Sequence, residues 1–288
     1  MKPKVSVTMI TYGHGKYIKE AIEGVLMQVC DFEVELIVAN DKSPDNTEVV
    51  VMDIIKNHPN GHWIKYTRHE DNKGMIPNFM WSLEQCKGKY IALCEGDDYW
   101  TDPLKLQKQV DFMEANTDYA LVFHLANCIN DNYKILGLHG PKIKEGYKVF
   151  DIKDAILQAS TLIPTNAMLF QAKYVKDEFP VWFKEAPVGD IPLMLLLARK
   201  GKLGFINEVM SNYRVMTPES WTRQVLIDKR KRVEHFFKMK KMWFDFNEWT
   251  KGDYRITVYK KQIRNTVFFI LYEVKLKFNL LMVKIKEK

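Results

Sequence analysis

The chain has 288 residues, of which 47% are hydrophobic and 27% charged, enough apolar material for one large folded unit or two smaller ones. Its longest apolar runs, at 193–198 and 267–272, fall well short of the roughly 20 residues that span a bilayer, so no transmembrane helix is expected. The net charge is +7, and the positive charge lies in residues 222–288, which have 18 Lys and Arg and 7 Asp and Glu (+11). The other 221 residues have 25 Lys and Arg and 29 Asp and Glu (−4). This distribution argues against a nucleic-acid-binding core.

Four β-rich runs recur along the first part of the chain. They begin 29, 29 and 26 residues apart, close to the roughly 30 residues of a βαβ unit, and their first residues are Val5, Val34, Trp63 and Lys89. Between the first two runs, apolar residues at helical spacing predict an amphipathic helix with a stripe formed by Ile18, Ile22, Val25 and Leu26. The pattern predicts a parallel, doubly wound sheet.

The fourth run ends in an acidic turn, "CEGDDYWTDP", with Glu95, Asp97 and Asp98 inside four positions. Carboxylates this close repel one another unless water, a cation or hydrogen-bond donors compensate them, and a solvated turn is the simple alternative. In doubly wound sheets, however, ligands bind beyond the carboxyl ends of the strands, which is where this turn falls. Asp102 and Pro103 then predict the N-cap and first residue of the next helix.

Past residue 120 the pattern becomes mixed. It predicts a strand in 120–129, a turn at 130–132, a helix near 151–159, a strand in 166–171 and a helix that opens at 189–190. The four cysteines show no paired spacing and are expected to be reduced thiols, and the seven histidines form no metal-ligand motif. Because no cleavage site follows the first apolar run, the chain is expected to stay in the cytoplasm.

Four segments, taken in order, resemble the inverting nucleotide-sugar glycosyltransferases of family two, which have the GT-A fold. They are "VTMITYGHGKYIKEAIEGVLMQ", "ELIVANDKSPDNT", "GKYIALCEGDDYWTDPLKL" and "GDIPLMLLLARKGKLGFINEVMSNYR". The resemblance covers residues 4 to about 216. It implies an α/β fold with a Rossmann-like, mostly parallel sheet flanked by helices. Residues 1–221 would form the GT-A domain, with a nucleotide-sugar half (about 4–103) and an acceptor half (104–221), and residues 222–288 a basic helical extension.

The resemblance also implies roles for residues in the first half. Thr11, Tyr12 and Asp41 match positions that bind the nucleotide, and because an Asp can accept the imide hydrogen of uracil, UDP is the expected nucleotide. For Asp41, a turn-capping role is the alternative. Asp97 matches a residue that faces the nucleotide and Asp98 one that ligates a divalent metal, with Mg or Mn suited to carboxylate and phosphate oxygens. Glu95 would orient the turn or reach the metal through water.

Asp190 matches the general base of the family, which would deprotonate the attacking hydroxyl of the acceptor. Its alternative role is to cap the helix that begins there. Trp182, Trp221 and residues 160–170 are expected to form the wall against which an acceptor sugar stacks. One departure from the family pattern is Met216, which stands where relatives often carry a His, and Met is a poor ligand for a hard cation.

The expected function is therefore metal-dependent, inverting transfer of a sugar from a nucleotide sugar to a saccharide or lipid-linked acceptor during cell-surface polysaccharide assembly. Two alternatives stay open: a nucleotidyltransferase that makes nucleotide sugars, and a non-catalytic GT-A binding protein. In the tail, apolar residues from Val267 to Ile285 fall on one helical face flanked by lysines. This pattern suits a helix that attaches the protein peripherally to an anionic inner membrane face, or one packed on the catalytic domain as core.

Overall fold

The computed structural model describes residues 2–143, 149–176, 178–215, 217 and 221–286. At residues 221, 222, 277 and 279–286 it describes the backbone and secondary structure but no side-chain environment.

The first half of the chain builds the parallel part of the sheet. Its elements are β1 (Val5–Thr11), α1 (Ile18–Leu26), β2 (Val34–Asn40), α2 (Thr47–Asn57), β3 (Ile64–Arg68), α3 (Met75–Gln85) and β4 (Tyr90–Leu93). The strands lie in the order β3-β2-β1-β4 and every neighbouring pair is parallel. The four predicted strands are thus confirmed, and the order of the strands reverses between β1 and β4.

The second half extends this sheet. Its elements are β5 (Tyr99–Trp100), α4 (Lys105–Ala115), β6 (Tyr119–Ile129), β7 (Ile135–His139), β8 (Val149–Phe150), α5 (Ile152–Gln158), β9 (Leu169–Gln171), α6 (Val181–Lys184), α7 (Asp190–Ala198) and β10 (Lys202–Arg214). Strand β9 joins β4 to β6 through antiparallel pairs, and β10 runs parallel to β6. The short β5 pairs with β10, so the sheet curls back toward the acidic turn.

The core lies on both faces of this sheet. One face packs aromatic side chains such as Phe123 and Phe205 against α5 and α7, and the other packs Ile18 and Val110 from α1 and α4. Helix α7 is apolar all round its circumference and buried from Ile191 to Ala198, which is the pattern of a helix enclosed in a core. Its first residue, Asp190, is therefore held by a rigid interior element.

Helix α4 begins later than the sequence indicated. It starts at Lys105, and Asp102 accepts a hydrogen bond from the backbone N–H of Leu104 (2.8 Å) without capping the helix. The predicted start at Asp102 and Pro103 is wrong because Gln28 supplies the missing acceptor: its Oε1 accepts from the N–H of Leu106 (3.0 Å). A side chain from a distant helix end therefore does the work expected of a local cap.

The basic C-terminal region forms α8 (Trp221–Ile227), α9 (Lys229–Trp249) and α10 (Arg255–Lys286), in agreement with the predicted helical extension. Helix α9 buries Met242, Trp243 and Phe246 in the core of the preceding residues. Within the described ranges, no helix has both the length and the apolar character required to cross a bilayer.

Candidate active site

The acidic turn lies where the order of the strands reverses. Its backbone is fixed to β1, because the N–H of Cys94 donates to the carbonyl of Thr8 (3.1 Å) and that of Gly96 to Ile10 (3.1 Å). A Cβ on Gly96 would lie 2.7 Å from Thr11 Oγ1 and 2.9 Å from His14 Nδ1. Only glycine permits this close approach, which brings the carboxylates against the end of β1.

Three carboxylates of the turn, Glu95, Asp97 and Asp98, lie at this strand end, and the charge of Asp190 at the start of α7 reaches them. Burial raises the pKa of Glu95 to about 8, with further contributions from the charges of Asp97 and Asp190. Burial also raises the pKa of Asp98, with Asp97 and then Glu95 adding to it, and burial raises the pKa of Asp190. The turn and Asp190, far apart in sequence, therefore influence one another electrostatically, which makes this an excess of negative charge that a cationic ligand would relieve.

The oxygens of this turn suit a hard divalent cation. Asp98 is only 2% exposed: one carboxylate oxygen accepts from the N–H of Arg214 (2.8 Å), and the other is buried and has no hydrogen-bond partner among the described residues. The Asp97 side chain is 24% exposed. Among the residues described, no group of three or more His, Cys, Asp or Glu side chains forms a ready-made metal site. The residues therefore fit a cation whose coordination is completed by phosphate and water, the pattern usual for Mg.

The three residues expected to bind the nucleotide lie at the ends of β1 and β2. Thr11 is buried, and within the part of the chain that the structure describes its hydroxyl has no hydrogen-bond partner, whereas Tyr12 is 52% exposed. Both carboxylate oxygens of Asp41 accept backbone hydrogen bonds, from Lys73 (2.7 Å) and Gly74 (2.9 Å). Asp41 therefore holds the loop that enters α3. This is a capping role, but the segment it caps is distant in sequence and is not the turn that directly follows Asp41.

Sequence reasoning missed two residues at this site, His14 and Tyr213. The Nε2 atom of His14 lies 4.0 Å from Asp97 Oδ2, and its Nδ1 atom is buried with no hydrogen-bond partner in the described ranges. Burial raises the pKa of Tyr213, with added contributions from Asp98, Glu95, Asp190 and Asp97, and its ring packs edge-on against His139 at 5.4 Å. His14 closely follows β1, so its position after a strand end was a usable signal, whereas nothing in the local sequence around Tyr213 indicated its surroundings.

Arg214, at the end of β10, links the turn to α1. Its backbone N–H donates to Asp98, while its buried guanidinium pairs with Glu20 and lies 4.8 Å, 5.3 Å and 5.0 Å from the ring centres of Tyr17, Tyr99 and Tyr133. These contacts combine charge pairing and cation–π attraction in a dry environment. Strand β10, the last strand of the sheet, therefore helps to position Asp98 in the acidic turn.

The predicted acceptor wall is largely wrong. Trp182 is 3% exposed and packs against Phe246 with ring centres 5.3 Å apart, and residues 162–170 are buried, so neither offers a free stacking surface. Trp221 begins α8, but its side-chain environment is not described, and Met216 lies outside the described residues. The exposed residues of the predicted segment 160–170 are Ser160 and Thr161.

The site geometry and the sequence agree on the class of protein. The model of the family "Glycosyl transferase family 2" matches residues 6–176, which is more than half of the chain. The chain therefore belongs to glycosyl transferase family 2, and its fold is GT-A.

Three similar proteins give this assignment detail. The Mycobacterium tuberculosis (strain H37Rv) protein Rv1520 is 31% identical over 230 residues, which are 79% of this chain but 63% of that protein. Residues 1–349 of S. aureus TarS in complex with UDP-GlcNAc have 18% identity and a TM-score of 0.62, over 85% of this chain and 66% of TarS 1–349. The mannosyltransferase PcManGT of Pyrobaculum calidifontis, in complex with GDP-Man and Mn²⁺, has 16% identity and a TM-score of 0.58, over 84% and 65%. At these identities the two structures are evidence for the fold alone.

Proposed function

We propose that the protein is a metal-dependent inverting glycosyltransferase. It moves a sugar from a nucleotide sugar, with UDP as the first candidate nucleotide, to a saccharide or lipid-linked acceptor in cell-surface polysaccharide assembly. The observation that carries the proposal is the acidic turn at the switch point of a family 2 fold, where the charge of Asp190 reaches Glu95. The proposal assigns metal binding to the turn and proton transfer to the start of α7.

In this mechanism each residue has a distinct task. Thr11, Tyr12 and Asp41 bind the nucleotide. Asp98, with Asp97 beside it, would hold Mn²⁺ or Mg²⁺, which when bound neutralises the diphosphate and so assists its departure. Asp190 accepts the proton of the attacking acceptor hydroxyl, and attack from the face opposite the leaving nucleotide inverts the anomeric carbon. Burial raises the pKa of Asp190, which makes it a stronger base than an exposed aspartate.

The donor and the metal are testable by stabilisation. A ligand that binds only the folded chain raises the unfolding midpoint, and a true donor does so most in the presence of the metal. UDP-sugars are the first set because of Asp41, and GDP-mannose is the comparison because a structural neighbour was solved with GDP-Man and Mn²⁺. A midpoint that no nucleotide sugar shifts, with or without Mn²⁺, would contradict donor binding.

The reaction itself is tested by its products. Incubation with the stabilising donor and a panel of saccharide and lipid-linked acceptors is expected to release the nucleoside diphosphate and to give a glycoside of inverted configuration by NMR. Release of pyrophosphate would instead identify a nucleotidyltransferase. Stabilisation by a donor with no product from any acceptor would favour a non-catalytic binding protein. Because lipid-linked acceptors are held at a bilayer, the proposed site of action is the cytoplasmic face of a membrane.

A further inference from the structure

Helix α10 presents a continuous apolar face to solvent. Its members follow one another at intervals of three or four residues, so they lie on a single side of the helix, and each is between 47% and 73% exposed: Ile256, Tyr259, Ile263, Val267, Ile270, Val274 and Phe278. At 1.5 Å per residue this outer face is about 33 Å long. It begins well before Val267, where the sequence pattern had placed the start of the stripe.

The opposite side of α10 is the one that packs on the protein. Val258 is buried, Phe269 stacks on Phe236 of α9 with ring centres 4.1 Å apart, and Glu273 pairs with Arg232 of α9 (2.5 Å). Lys261 donates to the carbonyl of Leu157 at the end of α5 (3.2 Å). The helix is thus fixed by its inner side. For the part of α10 whose side chains are described, the stripe is not core of the catalytic domain.

Positive charge accompanies the outer face. Lys260 and Lys275 are exposed on α10, in a region, residues 222–288, with a formal charge of +11 against −4 for the rest of the chain. We propose that the outer face of α10 docks on an anionic lipid bilayer. The apolar side chains enter the boundary between headgroups and acyl chains, and the lysines reach the anionic headgroups.

Charge favours a bilayer over a second copy of the chain on this surface. A symmetric dimer through the outer face would bring together two tails of +11, and like charges across an interface oppose association. An anionic leaflet attracts the same charge. The helix lies in the plane of the interface, since no described helix meets the requirements of a membrane span.

Docking would deepen the proposed function, because it would bring the protein to the surface that holds lipid-linked acceptors. The role of docking in presenting acceptors rests on the proposed function, whereas docking itself does not. Binding to lipid is measured without donor, metal or acceptor, so a failure of docking and a failure of glycosyl transfer give separate results.

The test is co-sedimentation of the full chain with vesicles of phosphatidylcholine, with and without phosphatidylglycerol. A variant with Ile263→Asn, Ile270→Asn and Val274→Asn removes the centre of the outer face. The matched control carries Val49→Asn and Met52→Asn on α2, where both side chains are also at least half exposed. We expect the wild type and the control to bind anionic vesicles, less so as salt rises, and the α10 variant to bind about tenfold or more weakly.

A second variant guards against a folding defect in the first. Lys260→Glu with Lys275→Glu leaves the apolar face intact and lowers the charge of residues 222–288 from +11 to +7. It is expected to weaken the preference for anionic over neutral vesicles, with unchanged helix content by circular dichroism. Negligible binding of the wild type to both vesicle types overturns the proposal, as does equal binding by the wild type and the triple α10 variant. Light scattering tests the other occupant of this face, a second copy of the chain. If the wild type and the control form a concentration-dependent dimer, the triple α10 variant stays monomeric and none of them binds vesicles, the face is assigned to a second copy instead.

Discussion

Replacement of the buried Lys105 by Met is expected to change how the stability of the protein depends on pH. Lys105 is fully buried behind the acidic turn, with its ammonium 3.7 Å from the centre of the Trp100 ring and donating to Gln109 Oε1 (2.8 Å). No carboxylate pairs with it among these contacts. Burial therefore lowers its pKa from 10.5 to about 7.

The sign and size of the effect follow from this lowered pKa. Between the folded and unfolded pKa values the unfolded chain keeps the lysine proton and the folded chain releases it, so the free energy of unfolding rises with pH. From about pH 6.5 to about pH 8.5 the expected gain is about 2 kcal/mol. Lys105→Met removes this gain. It also leaves Gln109 Oε1 unpaired, at a cost of about 1 kcal/mol that does not vary with pH.

Urea unfolding of the wild type and Lys105→Met across this range measures the effect. The difference between the two free energies of unfolding, rather than either alone, isolates Lys105, because Lys261, with a pKa lowered by burial to about 8, titrates in both proteins. A difference that stays constant across the range would refute the idea that Lys105 is a buried amine without a compensating charge. If the free energy of unfolding of the wild type minus that of Lys105→Met fell as pH rises, the folded protein would hold the Lys105 proton more tightly than the unfolded chain, which is the opposite of a lowered pKa.

Three substitutions probe the active site itself. Asp98→Ala is expected to abolish the dependence of UDP binding on Mn²⁺ by calorimetry, and equal strengthening by Mn²⁺ in wild type and variant would remove Asp98 from the metal site. Asp190→Asn is expected to retain donor binding and lose transfer by roughly 100-fold or more, and near-normal turnover would leave helix initiation as its role. Gly96→Ala would drive a methyl group into Thr11 and His14, so donor binding should weaken and the free energy of unfolding should fall by about 1–3 kcal/mol, and wild-type affinity and stability would contradict a tightly fixed turn.

The sequence was most informative where signals are local and periodic. The spacing of the four β-rich runs predicted β1 to β4, and the acidic run after β4 lies at the switch point, as expected. That a ligand binds there stays a prediction. The helix at Asp190 was predicted, although its N-cap position is Gly189 and its first residue is Asp190. The chemical roles of Asp98, Asp190 and Asp41 stay predictions.

Other features depended on contacts that no local pattern encodes. Strand β5 has only two residues, so it offered no alternation to detect, yet its pairing with β10 curls the sheet. The start of α4 is set by Gln28, which comes from an earlier part of the chain. The prediction of the acceptor wall was wrong for a related reason. Trp182 buries its apolar surface against α9, a helix that comes after it in sequence.

The bond from the Arg214 N–H to Asp98 has a consequence for how the protein matures. It joins residues separated by 116 positions, and β5, the strand next to Asp98, has its described strand partner in β10. Contacts of such long range form late, after the local units have folded. A nascent chain that contains the whole family-matching segment 6–176 would therefore hold the backbone of the turn against β1 but still lack β10, which pairs with β5 and donates the Arg214 N–H to Asp98. With Asp98 in the metal-binding role proposed above, metal-assisted binding of the donor would be complete only once β10 has left the ribosome.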